Sequence, residues 1–291
     1  MKKPFFTGAC TALVTPFTNG KVNLSMLEKL LQRQMDAGIG TVVLCGTTGE
    51  SPTLSLEEKC SIFRHAKAYC GTGCTILAGT GSNSTRYAME LSRAAEECGV
   101  DGLLVVSPYY NKATPEGLYA HYRAIAAAVN IPVILYNVPG RTGVDIPVSV
   151  YTRLSQIPNI AGVKEASTDI TKVARILAAC PDSFAVWSGN DDMTVPVISL
   201  GGSGVISVTS NIFPEQVQAM VHTALSGDYV SARRTQLELI PLTDLLFCEV
   251  NPIPVKAAMK ILGYDCGNCR LPLTPLLPEN EKKLKAMLSV Q

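Results

Sequence analysis

The chain has 291 residues, with 25 Lys and Arg against 24 Asp and Glu, for a net charge of +1. No charge excess draws it to a phosphate backbone or an anionic leaflet, so neither nucleic acid nor a membrane is expected as a partner. A hydrophobic content of 47% rules out disorder, and the low charged fraction of 17% suggests surface buried in a homo-oligomer.

Length alone would allow two domains, yet one α/β barrel often takes about 250 residues, so a barrel with an appendage is expected. The ten Cys have no regular spacing and read as reduced thiols of a cytoplasmic protein rather than as a secreted disulfide framework. Lys2 and Lys3 followed by the apolar stretch 5–14 imitate the charged and apolar regions of a signal peptide. Thr7, Gly8 and Thr11 interrupt that stretch and no small-x-small cleavage site follows, so a first strand at 8–14 is expected instead. No apolar run approaches the roughly 20 residues that span a bilayer.

Further runs rich in Val, Ile and Leu follow at 41–45, 75–78, 102–106, 132–136, 160–163, 184–187 and 204–208. Helical patterns separate them, at 25–37, 55–69, 84–98, 115–129, 147–155, 169–179, 192–200 and 214–225. Ser25, Ser55 and Pro115 supply start signals, and Gly38, Gly99 and Gly201 supply stops. Strand alternating with helix about eight times predicts a (β/α)8 TIM barrel rather than a doubly wound sheet. Beyond 225 only helices are expected, at 229–247, 254–262 and from Glu279, which divides the chain into a barrel at 1–225 and a C-terminal helical region at 226–291.

A barrel presents its reactive groups at the carboxyl ends of its strands. Those positions hold Cys45-Gly-Thr-Thr-Gly-Glu-Ser51, Ser107-Pro-Tyr-Tyr-Asn111, Tyr136-Asn-Val-Pro-Gly-Arg-Thr-Gly143, Lys164-Glu165 and Gly189-Asn-Asp191, with Gly201-Gly-Ser-Gly204 leading into the last strand. Lys164 has apolar neighbours in Gly162, Val163 and Ala166. A free lysine titrates at about 10.4, and desolvation raises the fraction of neutral nucleophile, which suits a strand-end lysine to Schiff-base chemistry. The alternative is a lysine paired to a barrel carboxylate, although Glu165, next along the strand, points to the opposite face.

Tyr136 falls beside Lys164 in the ring of strands, as a proton shuttle or as an aromatic core residue. Thr47 and Thr48 occupy a Gly-flanked turn that can hold a carboxylate, or merely bond its own backbone. Tyr109-Tyr110 suits catalysis or a subunit contact, and Arg141 offers a planar fork for a carboxylate or is simply solvated. His65, His121 and His222 lie in separate helices, and Cys266-Gly-Asn-Cys269 lacks partners for zinc, so neither a metal site nor a Ser-His-Asp triad is expected. The glycines at 201–204 read as a turn rather than a phosphate cradle.

These motifs, in this order, resemble the dihydrodipicolinate synthase and N-acetylneuraminate lyase family of Schiff-base-forming barrel enzymes. The resemblance covers nearly the whole chain, from Thr11-Ala-Leu-Val-Thr-Pro-Phe17 through Gly46-Thr-Thr-Gly-Glu-Ser51, Pro108-Tyr-Tyr-Asn111, Tyr136-Asn-Val-Pro139 and Gly162-Val-Lys-Glu165 to Gly201-Gly-Ser-Gly-Val-Ile-Ser207. Within the family, Thr-Thr in the second-strand turn and an Arg after the fifth-strand Tyr are similar to the synthase branch. The lyase branch has Ser-Thr and lacks the Arg.

The resemblance implies a lyase of lysine and diaminopimelate biosynthesis that condenses pyruvate with L-aspartate 4-semialdehyde to 4-hydroxytetrahydrodipicolinate. It implies no cofactor and a homotetramer built as a dimer of dimers. By the same resemblance Lys164 forms the pyruvate Schiff base, Thr47 and Thr48 hold its carboxylate, and Tyr136 is the acid/base, relayed through Thr47 to Tyr110 of a neighbouring subunit. Arg141 orients the semialdehyde carboxylate, while Gly189 and Ile206 line the pyruvate pocket. Many synthases are inhibited by lysine at a site presenting two His and a Glu. Leu56, Lys59 and Tyr87 stand in those places here, beside matching Ser51, Asn83 and Tyr109, which implies weak or no inhibition. The rivals are an aldolase of the same family acting on pyruvate and a sugar-like aldehyde, and a barrel that only binds a small acid.

Overall fold

The computed structural model describes residues 4–289, so Lys2 and Lys3 of the signal-like segment lie outside it. Its strands are β1 (Gly8–Ala12), β2 (Phe17–Thr18), β3 (Lys21–Val22), β4 (Thr41–Leu44), β5 (Thr75–Gly79), β6 (Gly102–Val106), β7 (Val133–Asn137), β8 (Ile160–Glu165), β9 (Ala185–Ser188) and β10 (Gly204–Ser207). All but β2 and β3 join in one closed parallel barrel in the order β1-β10-β9-β8-β7-β6-β5-β4. Each strand expected from the apolar runs is present. The unforeseen antiparallel β2–β3 pair turns at Asn19-Gly20, both at positive φ (+50° and +75°), as an Asn-Gly hairpin requires.

The helices are α1 (Leu24–Asp36), α2 (Leu56–Cys70), α3 (Thr85–Glu97), α4 (Pro115–Ala127), α5 (Pro139–Thr142), α6 (Val148–Leu154), α7 (Ile170–Ala179), α8 (Thr194–Ser199), α9 (Pro214–Leu225), α10 (Tyr229–Leu246), α11 (Ile253–Ile261) and α12 (Pro278–Leu288). Ser55 caps α2 in a reciprocal box with Glu58, whose N–H donates to Ser55 Oγ at 3.2 Å while its carboxylate accepts from Ser55 N at 3.0 Å. At α1 the expectation of a Ser25 cap is corrected: Asn23 accepts from Met26 N at 2.9 Å. The helix begins earlier because Asn23 is itself held by the hairpin, its N–H on Pro16 O at 2.8 Å and its side-chain amide on Thr18 Oγ1 at 2.8 Å.

Two layers of core position the strand ends. Between strands and helices, α3 exemplifies the stripe, burying Ala88, Leu91, Ser92 and Ala95 at helical spacing. Inside the barrel, Phe6, Cys10, Val43, Leu77, Leu104, Ile134, Tyr136, Trp187 and Ile206 pack together. Phe6 enters from the amino-terminal side and stacks on Trp187 at 4.6 Å between centroids, and the indole N–H donates to Phe6 O at 3.2 Å.

The C-terminal helices share the barrel's core: Leu242, Leu246, Val255, Met259, Cys266 and Leu284 belong to the same cluster as the strand and helix residues. All ten cysteines are free thiols, and burial pushes Cys266 and Cys269 each up to about 12. Lys256 of α11 reaches back to Glu50, past the Thr-Thr turn, at 2.8 Å, with 3% and 1% of the two side chains exposed. Glu50 also accepts Arg270 N at 2.8 Å, and Lys256 lies 4.4 Å from the Phe17 ring centroid.

Removing one partner of a buried pair strands the other charge, at a cost of about 3–5 kcal/mol. Lys256→Ala is therefore expected to lower the urea unfolding midpoint strongly, and the double variant Glu50→Gln/Lys256→Met to recover most of it. Equal midpoints for Lys256→Ala and the unsubstituted protein would refute the role given to this pair.

Candidate active site

The end of β8 sets the site. Strand register places Tyr136, Lys164 and Trp187 side by side on β7, β8 and β9, with Asn137, Glu165 and Ser188 as the next rank. Because successive residues alternate faces, Tyr136 and Trp187 point into the barrel with Lys164, and the second rank points out. Glu165 accepts from Asn137 Nδ2 at 2.8 Å, Tyr151 OH at 3.1 Å and Ser167 N at 2.9 Å, and it lies 3.7 Å from Lys172 Nζ. The nearest acid in sequence is thus committed to the helix layer.

Lys164 is 5% exposed, and its Nζ stands 4.4 Å from the centroid of the Tyr136 ring. Among the described residues it forms no ion pair. The Cys10 thiol is held neutral beside it, pushed up by burial against the opposing pull of the Lys164 ammonium. Gly189 makes room for the lysine stem: a Cβ there would fall 3.1 Å from Lys164 Cε and 2.6 Å from Ala166 Cβ. Ile206, fully buried on β10, belongs to the interior cluster that holds Tyr136.

The Thr-Thr turn follows β4. Cys45 and Glu50 bracket it at positive φ (+53° and +56°), and Gly79 on β5 passes so close that a Cβ would meet Cys45 O at 2.2 Å. Within the turn Glu50 N donates to Thr47 O at 3.1 Å and Ser51 N to Gly46 O at 3.2 Å. Thr48 is buried, and its hydroxyl accepts from Asn251 Nδ2 at 2.9 Å. Arg141, on the four-residue α5 after β7, donates to the carbonyl of the same Asn251 at 3.3 Å.

A cavity of about 350 Å³ gathers Thr47, Tyr136 and Arg141 with Tyr109, Ser51, Lys59 and Tyr87. Tyr110 stands apart from them. It is 88% exposed, at φ +73°, with its N–H donating to Thr142 O at 3.2 Å.

Sequence reasoning missed two residues that the fold brings in. Asp191 is buried and accepts from Ser207 Oγ, from Val208 N at 2.9 Å and from Thr209 N at 3.2 Å. Burial raises its carboxyl pKa, while those bonds and the Lys164 ammonium act in the opposite direction. Its signal was the Gly-Asn-Asp run after the seventh strand. Asn251 comes from the C-terminal region, 203 residues from Thr48, and nothing local marks it. Among the described residues no cluster of His, Cys, Asp or Glu is arranged to hold a metal ion, and no helix is long and apolar enough to cross a membrane.

Known proteins resemble the chain over nearly its whole length. The chain is 47% identical over 288 residues to the 4-hydroxy-tetrahydrodipicolinate synthase of Acetivibrio thermocellus, covering 99% of this chain and 98% of that protein. The crystal structure of dihydrodipicolinate synthase from Aquifex aeolicus superposes with a TM-score of 0.96 at 43% identity, covering 98% of both chains. That of the enzyme from Cyanidioschyzon merolae with lysine bound gives a TM-score of 0.95 at 41% identity, over 99% of this chain and 98% of that one. With the family's sequence model matching residues 5–291, the chain belongs to the dihydrodipicolinate synthetase family.

Proposed function

We propose that this protein condenses pyruvate with L-aspartate 4-semialdehyde to 4-hydroxytetrahydrodipicolinate, with Lys164 as the covalent nucleophile. The observation that carries this reading is a buried strand-end lysine with no ion-pair partner among the described residues, set against the Tyr136 ring at 4.4 Å. The amine adds to the C2 carbonyl of pyruvate. The carbonyl oxygen takes protons and leaves as water, giving a protonated imine. Loss of a C3 proton then gives an enamine, whose carbon attacks the aldehyde of the second substrate while the aldehyde oxygen gains a proton. The substrate amino group finally attacks C2, closes the ring and displaces Lys164.

Each proton transfer needs an acid/base within reach, and Tyr136 is the phenol beside the amine. Thr47 shares the cavity with Tyr136 and hands protons on toward Tyr110. An aromatic ring 88% exposed on a loop fits a residue that a second subunit covers, so Tyr110 completes the site of its neighbour in a homo-oligomer, a tetramer built from such dimers. The Thr47–Thr48 turn holds the pyruvate carboxylate, Gly189 and Ile206 shape its pocket, and Arg141 takes the semialdehyde carboxylate as a bidentate fork.

Borohydride added with pyruvate is expected to leave the mass of a reduced pyruvyl group on Lys164, located by peptide mass spectrometry. Labelling that persists in Lys164→Ala would remove Lys164 from the role.

Losing a charged bidentate contact costs about 1.5–3 kcal/mol, so Arg141→Ala should raise the KM for aspartate semialdehyde by roughly ten- to a hundredfold. The KM for pyruvate should move far less. Equal increases for both would make Arg141 a support of the loop.

The same reading makes the enzyme insensitive to free lysine. Tyr87 and Lys59 line the cavity where the resemblance places a Glu and a His, and no acid lines it for an ammonium group. Steady-state rates are expected to stay nearly unchanged at millimolar lysine; half-inhibition in that range would overturn this part of the reading.

A further inference from the structure

β7 and β8 do not keep one register along their length. They begin with Val133 opposite Ile160, then the pairing shifts so that Ile134 faces Gly162, and Ala161 is left as an extra residue on β8. Counted at constant spacing from Val133 and Ile160, Tyr136 would face Val163 and Asn137 would face Lys164. The shift makes the pairs Tyr136–Lys164 and Asn137–Glu165 instead. A bulge is uncommon between parallel strands, and this one decides which of Lys164 and Glu165 shares the interior face with Tyr136.

Gly162, the first residue past the bulge, stands at φ +152° and has no side chain with which to hold the shift. The hold lies at the far end of the two strands. Asn137 Nδ2 donates to Glu165 Oε1 at 2.8 Å and to Asp145 Oδ1 at 2.8 Å, while Asn137 Oδ1 accepts from Ile146 N at 3.1 Å. Both Asn137 and Glu165 are buried. The backbone closes the same rung, with Ala166 N donating to Asn137 O at 2.9 Å. Lys172 of α7 donates to Asp145 and stands 3.7 Å from Glu165, so the two acids have a counter-charge.

The Asn137–Glu165 bond runs directly across β7 and β8, whereas the Tyr151 and Ser167 bonds to Glu165 come from α6 and from the loop after β8. A return to constant spacing would break that bridge and leave a buried amide and a buried carboxylate short of partners. We infer, on the reading of Lys164 as the nucleophile, that Asn137 is a positioning residue: its amide bridge to Glu165 holds β8 in the shifted register and so keeps the Lys164 amine inside the barrel beside the Tyr136 ring. Asn137 itself faces the helix layer and acts through the strands.

The test follows the trapping of pyruvate on Lys164 by borohydride over time in the full-length protein. Asn137→Asp replaces the two donors by a carboxylate among acids and is expected to lower the maximal trapping rate at least about tenfold. Half-saturating pyruvate should move less than about threefold, because the Thr47–Thr48 turn is tied to Asn251 rather than to β7. The exchanged pair Asn137→Asp/Glu165→Gln puts the amide on β8 and the carboxylate on β7, and should recover most of the rate. Tyr151→Phe removes the α6 bond to Glu165 but leaves the bridge between the strands; it should lower the urea midpoint and keep the trapping rate.

Amide exchange at Ala166 reads the register without any reaction: it should quicken at least about tenfold in Asn137→Asp and stay unchanged in Tyr151→Phe. If Asn137→Asp does not fold, Asn137→Ser, which removes the bridge without adding charge, takes its place in the same comparison. Trapping in Asn137→Asp at the rate of the unsubstituted protein, no recovery in the exchanged pair, or an equal loss in Tyr151→Phe would each overturn the inference. If the unsubstituted protein does not trap pyruvate, the proposed reaction fails, and exchange at Ala166 still decides what holds the register.

Discussion

A lysine can be kept inside a barrel without an acid beside it only if the acids near it in sequence are turned elsewhere. Lys164 and Glu165 meet that condition by alternation alone: one strand position faces the interior, the next faces the helices. Glu165 then has three hydrogen-bond donors of its own, from Asn137, Tyr151 and Ser167. The network outside the barrel is what leaves the amine inside without an ion pair among the described residues. A slip of one residue in the β7–β8 register would exchange the two side chains and put the acid inside the barrel.

The Thr-Thr turn faces a different problem. Cys45 and Glu50 both sit at positive φ, a backbone arrangement that ordinary residues hold only under outside support. That support comes from far along the chain. Lys256 and the Arg270 backbone hold the Glu50 carboxylate, and the Asn251 amide holds Thr48. The C-terminal helices therefore act as the back wall of the Thr-Thr turn and share a core with the barrel.

Most of the fold was legible because its signals are local. Every barrel strand carried its Val, Ile and Leu run, Ser55 and Pro115 marked helix starts, and the lone misplaced cap, Ser25 for Asn23, arose where a hairpin outside the helix decided the matter. Lys164 and Tyr136 were found the same way, as strand ends with adjacent register. Asn251 and the Glu50–Lys256 pair were not, because both depend on contacts across more than 200 positions and their residue types are ordinary at those places. Lys59 shows the same limit. The resemblance set it in the place of a His at the inhibitor site, and only packing shows it buried and, among the described residues, without an ion pair.

The stack of Phe6 on Trp187 has a consequence for the order of events. Together with Leu77, Leu104 and Ile134 it fills the barrel interior from the amino-terminal side, so among the described residues that side is packed and Lys164 is approached from the mouth at the carboxyl ends. Arg141 stands exposed at that mouth, whereas Lys164 lies buried behind it. In the proposed reaction the keto acid, which forms the covalent intermediate with the Lys164 amine, enters before the aldehyde, and the cyclic product leaves by the same side; a vessel filled from below imposes a queue.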